Sequence, residues 1–253
     1  MERILVADDG SAASTSAMEW AASRARREAA TIDVLSAETA AGEPGGDVGV
    51  RGNIGARGDI RGPGDLLVVG ADHGRPTRAA LTDAASRPAG GITVVVVPAG
   101  WVATADPVTV GIADDESSSG ALAFAAREAE TNRVPLRLVH AWLMATPPFA
   151  RARAEASEPH VQTPDEAAAQ HRRTLEAAAG WVDQRHPRVE VQRELVRDSM
   201  VAALLRFAPR SSLIAVGTHR RGPFADHLLG RVAQAAAWQD CPIALVPVTP
   251  RRA

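Results

Sequence analysis

The sequence predicts an α/β fold of two tandem modules, each a parallel five-stranded sheet flanked by helices, with the first module truncated. Three observations support this prediction. A pattern of strand, acidic turn, helix and strand occurs twice in the 253-residue chain. Each copy is followed further on by an apolar strand with glycine at its end, a polar loop and a final apolar strand. The predicted strands are continuous apolar runs, which are typical of strands buried on both faces of a parallel sheet. Alanine-rich segments between them suit right-handed βαβ crossovers.

The duplication rests on both ends of the repeat. Near the start, ILVADDGS leads through an alanine-rich helix to TIDVLS, and after Pro107 the segment VTVGIADDESSS leads in the same way to LRLVHAW. Further on, GDLLVVGADHG leads to GITVVVVP, as SSLIAVGTHRRG leads to CPIALVPV. We therefore expect two Rossmann-like modules, over residues 1–100 and 106–250, joined by a linker at Pro98–Asp106.

In the second module, apolar runs predict strands and alanine-rich segments predict helices. The predicted strands are Val108–Ile112, Leu136–Trp142, Val189–Val196, Leu213–Gly217 and Pro242–Val248, and the predicted helices are Ser118–Thr131, Asp165–Arg185, Met200–Phe207 and Phe224–Gln239.

Local capping residues support three of these helices. Ser117–Ser119 supply hydroxyl groups for an N-cap, and either Asp198 or Ser199 can cap the segment MVAALLRF. Thr163 precedes a proline and two acidic residues, an order typical of a helix start.

The interior of the first module is eroded between Glu38 and Gly64. Its glycine density opposes both helix and strand, so we expect a mobile surface loop with at most a remnant strand at Asp47–Arg51 and one turn near Ile54–Ile60. A second mobile stretch is expected at Leu143–Thr163.

Composition excludes several function classes. A formal net charge of −2 gives no basic field for nucleic acid or an anionic membrane, so neither is expected as a partner. All 28 basic residues are arginine, which removes Schiff-base and phosphate-loop lysines. Cys241 is the single cysteine, and no apolar run approaches the ~20 residues of a membrane helix. We expect a soluble, cytoplasmic protein.

Ligands of open α/β sheets bind beyond the carboxyl ends of the strands, where strand order reverses. The loop from Gly217 through Gly222 to Gly230 follows such a strand. Glycines there let backbone N–H groups approach a phosphate.

The quoted strand motifs, and above all the tail GPFADHLLGRVAQAAAWQDCPIALVPV, resemble the universal stress protein family over essentially the whole chain. The resemblance implies an adenine nucleotide alpha hydrolase-like fold and ATP binding. It also implies that the final strands GITVVVVP and CPIALVPV, which would otherwise be exposed apolar edges, pair within this chain as an intramolecular pseudo-dimer. A further homodimer is also compatible with it.

The family's ATP-binding pattern is Gly, two residues, Gly, nine residues, Gly, then Ser or Thr. Laid on this sequence, Gly217 and Gly230 keep the outer glycines, whereas Arg220 and Arg231 stand where a glycine and a hydroxyl belong. The acid that ends the first strand falls near Ala113 or Asp114. The first module keeps Asp9 but loses the glycine spacing after Gly70.

The residues that the resemblance assigns to nucleotide binding lie at the ends of strands in both modules. They are Asp9, Gly70, Ala113, Asp114, His140, Gly217, Thr218, Arg220, Gly222, Gly230, Arg231 and Val232. The two arginines can grip phosphate or obstruct it, and obstruction is the preferred interpretation. No residue is assigned to catalysis or to a metal.

Other candidate residues have a simpler structural interpretation. His219 and His227, beside Asp226, could suggest a metal site but are expected on polar surface. Ser11 is expected to cap a helix. His140 is expected to be packed or at the rim of the site, and Trp181 and Trp238 to pack against the sheet.

The leading functional hypothesis is a non-enzymatic stress protein that acts through a protein partner, with ATP binding weakened or lost. The alternative is an ATP-binding stress sensor whose nucleotide controls partner binding. An enzyme of the wider superfamily, such as a ligase, is disfavoured because the SGGxDS-type loop is absent.

Overall fold

The computed structural model describes residues 2–36, 65–72, 75–76, 92–113, 118–143, 163–218 and 241–248. Along the chain these form β1 (Arg3–Asp8), α1 (Ala12–Glu28), β2 (Thr31–Ser36), β3 (Asp65–Asp72), β4 (Arg75–Pro76), β5 (Thr93–Pro98), β6 (Val108–Ile112), α2 (Ser119–Asn132), β7 (Leu136–Ala141), α3 (Pro164–Arg185), β8 (Val191–Val196), α4 (Met200–Phe207), β9 (Leu213–Thr218) and β10 (Ile243–Pro247). A short 3₁₀ turn, Ala208–Arg210, follows α4. The predicted α/β class is confirmed.

The strands form one continuous mixed sheet in the order β2-β1-β3-β5-β10-β9-β6-β7-β8, and β4 pairs antiparallel to β3. Along that order every neighbouring pair is parallel except β5 with β10. The expected pairing of the two final apolar strands is confirmed, with Val94, Val95 and Val96 opposite Leu245, Ala244 and Ile243.

This antiparallel pair joins the parallel strands on either side of the linker into one mixed sheet, where the sequence predicts five strands in each module. Five parallel strands do follow the linker, but in the described part of the chain only four long parallel strands precede it. We call the strands and helices up to β5 the first half and those from β6 onward the second half. Because the final strand of each half would otherwise be an open apolar edge, joining them buries both.

The inner strands of the sheet are buried on both faces, as the continuous apolar runs predicted, whereas the outer strands β2 and β8 are partly exposed. Alternate residues of a strand belong to opposite faces. Ile4 and Val6 of β1 enter the core under α1, α2 and α3, whereas Leu5 between them enters the core on the face covered by α4. Trp181 packs against the first of these cores, as predicted.

The helix starts follow the capping residues with one exception. Thr163 and Glu166 form a reciprocal capping box at the start of α3, and the Ser199 hydroxyl accepts from the Ala202 N–H at the start of α4. Ser118 stands at the N-cap of α2 but makes no capping bond with its side chain. Its hydroxyl instead accepts from the N–H of Ala113 at 3.2 Å, so the expected capping bond of Ser118 is wrong.

Predicted boundaries shift by one or two residues. β8 begins at Val191 and not at Val189, β7 ends at Ala141 before Trp142, and β9 extends to Thr218. The expected loop Glu38–Gly64, nearly all of the expected mobile stretch Leu143–Thr163, the helix Phe224–Gln239 and Trp238 lie outside the described residues. None of the described helices is long and apolar enough to cross a membrane.

A polar cluster ties α1 to α2 across the junction of the halves. Arg24 of α1 is buried, forms an ion pair with the buried Glu128 of α2, and donates to both carboxylate oxygens of Glu2 at 3.0 Å. One turn further on, the hydroxyl of Thr131 donates to Glu28 at 2.6 Å. The cluster therefore joins residues far apart in sequence.

Gly70, near the end of β3, lies directly against the first turn of α1. A Cβ added there would be 2.3 Å from the carbonyl carbon and oxygen of Ala13 and 2.6 Å from the amide nitrogen of Ser14. These are backbone atoms, which cannot turn aside as a flexible side chain would. The close approach of helix and strand therefore requires glycine.

We predict that Gly70→Ala lowers the free energy of unfolding by about 3 kcal/mol, because the new methyl group forces α1 away from β3. Gly180→Ala in α3 is the matched control, since an added Cβ there meets nothing within 4 Å. It should stabilise the protein by up to ~1 kcal/mol through helix propensity. Urea unfolding followed by circular dichroism measures both, and equal effects of the two substitutions would contradict the packing.

We also predict that Arg24→Met costs about 3 kcal/mol of stability, because it leaves the buried Glu128 without its partner. Glu128→Gln should cost less, because Arg24 keeps its ion pair with Glu2. The double variant should lose less than the sum, with a coupling energy of about 1–3 kcal/mol. The exposed pair of Arg193 and Glu176, at 3.3 Å, is the control and should couple by less than ~1 kcal/mol. Additive losses at positions 24 and 128 would show that the buried pair is not an energetic unit.

Candidate functional site

The candidate site lies at the carboxyl ends of β6, β7 and β9, which meet at one edge because these strands are parallel. β6 is the central strand of the three, with Ile112 opposite His140 of β7 and Val110 opposite Ala215 of β9. We call this the second-half edge. Of the predicted site residues it brings together Ala113, His140, Gly217 and Thr218, while Asp114, Arg220, Gly222, Gly230, Arg231 and Val232 lie outside the described residues.

Gly217 and Thr218 end β9 beside the last strand of the chain. They pair with Val246 and Pro247 of β10, and the Thr218 hydroxyl donates to the Val246 carbonyl at 3.4 Å. Both residues are half-buried. The carboxyl end of β9 is therefore held against β10, the strand that pairs with β5 of the first half.

His140 is buried at the end of β7, in agreement with the packed interpretation. Its Nδ1 lies 2.8 Å from the carbonyl oxygen of Ile112, and its Nε2 lies 2.8 Å from Nδ1 of His171 on α3. The sequence interpretation missed His171. The signal was available, because His171 shares the helical spacing of Leu175, Ala178 and Val182, which form the buried stripe of α3.

Trp142 completes an aromatic group at this edge. Its ring stacks on His171 with centroids 5.2 Å apart and planes inclined by 24°. The guanidinium carbon of Arg197, which follows β8, lies 5.7 Å from the centroid of the Trp142 ring. The aromatic surface of Trp142 is thus already in contact with two neighbouring side chains.

In the first half, the two acidic residues at the end of β1 accept hydrogen bonds within their own turn. Asp8 accepts from the N–H of Gly10 at 3.0 Å and from the hydroxyl of Ser14 at 2.8 Å, which lowers the pKa of its carboxyl. Hydrogen bonding from Ser11 lowers the pKa of the exposed Asp9 in the same way. Ser11 caps α1 by accepting from the Ser14 N–H at 3.1 Å, as predicted. The sequence interpretation singled out Asp9 and missed the more enclosed Asp8.

Strand register relates the two acidic turns. In the first half, Ile4 of β1 lies opposite Leu66, which precedes Gly70 in β3. In the second half, Val108 of β6 lies opposite Leu213, which precedes Gly217 by the same number of residues. Counting forward from Ile4 and from Val108 places Ala113 where the first half has Asp9. The register thus decides between Ala113 and Asp114 in favour of Ala113, and a methyl group takes the place of the acid.

The reactive groups of the described residues offer little chemistry. Cys241 is buried, its thiol donates to the Ser211 carbonyl at 3.2 Å, and burial raises the pKa of Cys241 to about 12. A thiol held protonated in this way is a poor nucleophile. No group of three or more potential metal ligands occurs in the part of the chain that the structure describes, and His219, Asp226 and His227 lie outside it.

Comparison with a solved structure supports the fold. The crystal structure of a universal stress protein from Archaeoglobus fulgidus matches with a TM-score of 0.60 at 13% sequence identity, over 99% of this chain and 97% of that chain. At this identity the likeness establishes a shared fold.

Sequence comparison gives the family. A universal stress protein of Mycobacterium tuberculosis is 31% identical over 132 residues, which are 52% of this chain and 41% of that protein. One from Mycobacterium bovis is 35% identical over 130 residues, which are 51% of this chain and 39% of that protein. The aligned part thus spans about two fifths of the length of these relatives. The model of the universal stress protein family matches residues 1–49 and 104–247. With that match covering more than half of its residues, the chain belongs to the universal stress protein family.

Proposed function

We propose that this chain is a cytoplasmic, non-enzymatic universal stress protein that acts by binding a protein partner, with its ATP binding weakened or lost. The observation that carries the proposal is the second-half edge, where Ala113 stands at the position that Asp9 has in the first half. The family's acidic contact to the nucleotide is therefore a methyl group, and Arg220 and Arg231 replace two further contact residues.

The first half keeps its acids but offers them in a different setting. Asp8 and Asp9 each accept hydrogen bonds from their own turn, and Gly70 is packed against the backbone of α1. Gly70 therefore serves helix packing, and the turn stabilises the start of α1. Neither half combines the acid with the glycine loop, which supports weak nucleotide binding.

A non-enzymatic role is supported by the hydrogen bonds of the candidate nucleophiles. The hydroxyl groups of Ser11 and Ser14 bond within the acidic turn, and the Cys241 thiol is buried. Both ring nitrogens of His140 are hydrogen-bonded, one to the Ile112 carbonyl and the other to His171. A nucleophile needs both an adjacent base and access to substrate. The Ser14 hydroxyl contacts the Asp8 carboxylate at 2.8 Å, but Ser14 is buried at 3% exposure.

We further propose that the two halves are tandem copies of one module that form a pseudo-dimer within the chain. Support comes from the antiparallel pairing of β5 with β10 and from the shared sequence pattern at both ends of each half. A net charge of −2 favours a protein partner over nucleic acid or a membrane surface.

The second candidate function is an ATP-binding stress sensor. It is favoured by the retention of the scaffold at the second-half edge, where β9, which contains Gly217 near its end, runs parallel to β6. On this hypothesis the two arginines would grip phosphate instead of blocking it.

We predict that ATP binds the wild-type chain with a dissociation constant above the micromolar range, and that Arg220→Gly with Arg231→Ser improves affinity about tenfold, or about 1.4 kcal/mol. The substitutions restore close backbone approach and a hydroxyl. Isothermal titration calorimetry measures both. Arg26→Ser with Arg188→Ser removes two exposed arginines elsewhere and is the charge-matched control, which should change nothing. Micromolar binding by the wild type would favour the sensor.

We predict a further gain of about tenfold when Ala113→Asp is added to the restored pair, because the acid then returns to the end of β6. Ala113→Asn is the control, since it matches the size of aspartate without its charge. Equal affinities with Asp and Asn would show that charge at this position does not matter. A loss with Asp alone would show that the new carboxylate repels the phosphates.

A further inference from the structure

We propose that His140 is a positioning residue for the second-half edge, holding the end of β6 through the Ile112 carbonyl while His171 of α3 holds His140 in turn. This inference rests on the proposed function in one respect, because the strand end it positions belongs to the candidate nucleotide edge.

The hydrogen bond to Ile112 places a proton on Nδ1 of the His140 ring. A carbonyl oxygen only accepts, so Nδ1 of His140, at 2.8 Å from the Ile112 oxygen, carries a proton. In its neutral form the ring then has a lone pair on Nε2, which accepts from Nδ1–H of His171 at 2.8 Å. The donors therefore run in one direction, from His171 to His140 to Ile112.

The end of β6 is tied from two sides. The Ile112 carbonyl accepts from His140, and the next N–H, that of Ala113, donates to the Ser118 hydroxyl at 3.2 Å. The first half secures the corresponding turn differently, through Asp8 and Asp9. In the second half, imidazole and hydroxyl groups thus fix a strand end that carboxylates fix in the first.

Because His140 is buried, its two hydrogen bonds are difficult to replace. His140 is 1% exposed, so that water cannot replace a lost partner without rearrangement. Trp142 stacks on His171 and reports the position of that ring. A change in the bond between the two histidines should therefore be visible at Trp142.

Two substitutions separate the two bonds of His140. The side-chain nitrogen of asparagine occupies nearly the place of Nδ1, so His140→Asn keeps the donor to Ile112. The side-chain oxygen of glutamine can reach the place of Nε2 and accept from Nδ1–H of His171, so His140→Gln keeps a partner for His171 and loses the bond to Ile112. Thermal unfolding of both variants establishes that they fold.

The first readout is independent of any nucleotide. Nitrogen-15 spectra of the wild-type histidines at neutral pH should show His140 protonated at Nδ1 and unprotonated at Nε2. Amide hydrogen exchange at Ala113 should stay within about twofold of wild type in His140→Asn and become about tenfold faster in His140→Gln. The Val110 amide in the same strand is the internal control. Protonation of His140 at Nε2 alone, or equal exchange in both variants, would overturn the proposal.

The second readout uses ATP as the probe in the Arg220→Gly, Arg231→Ser background. His140→Asn should keep the affinity of that background, and His140→Gln should lower it about tenfold. If no variant binds ATP, the proposed scaffold for nucleotide fails while the exchange data still decide the role of His140. If ATP binds equally to both variants, His140 does not position the edge.

Discussion

The antiparallel pairing of β5 with β10 is the constraint on which the rest of the structure depends. It converts two sets of parallel strands into one sheet and buries two apolar strands that would be open edges in isolation. It also has a geometric consequence for function. Because the sets run in opposite directions, their carboxyl ends lie at opposite edges of the sheet. Asp8 and Asp9 therefore lie at one edge of the sheet, and Gly217 and Thr218 at the end of β9 lie at the other.

The same pairing brings α1 and α2 together on one face, where Arg24 bonds Glu2 and pairs with the buried Glu128. Burying such charges costs solvation that their attraction only partly repays, so the cluster adds little net stability compared with an apolar contact. Its effect is on specificity. A shifted pairing of β5 with β10 would separate Arg24 from Glu128 and leave a buried charge alone, which penalises wrong registers more than apolar packing would.

The sequence predicted the parts of the fold that depend on local patterns. Apolar runs located the described strands of the second half to within two residues. Thr163 and Ser11 were predicted as helix caps, and Ser199 was one of two predicted candidates for the cap of α4. The predicted site fared less well where it depended on register or on distant contacts. Only the strand register shows that Ala113, and not Asp114, corresponds to Asp9. The Ser118 hydroxyl accepts from the Ala113 N–H instead of capping α2. The contact of His171 with His140 required knowing how α3 lies on β7, which no local pattern specifies.

The residues that hold the sheet together and those that would hold a nucleotide are largely separate in this chain. The core is intact at the apolar faces of β3, β5, β9 and β10 and at the close contact of Gly70. The sequence departs from the family's pattern at Ala113, where the pattern has an acid, and at Arg220 and Arg231. Of these positions the structure describes Ala113, which is half-buried and belongs to neither apolar core. The proposed partner-binding role requires the core and the pairing of β5 with β10, which hold a defined surface, and it does not require the nucleotide contacts. The intact core and the departures from the family's pattern therefore support that proposal over the proposed nucleotide sensor.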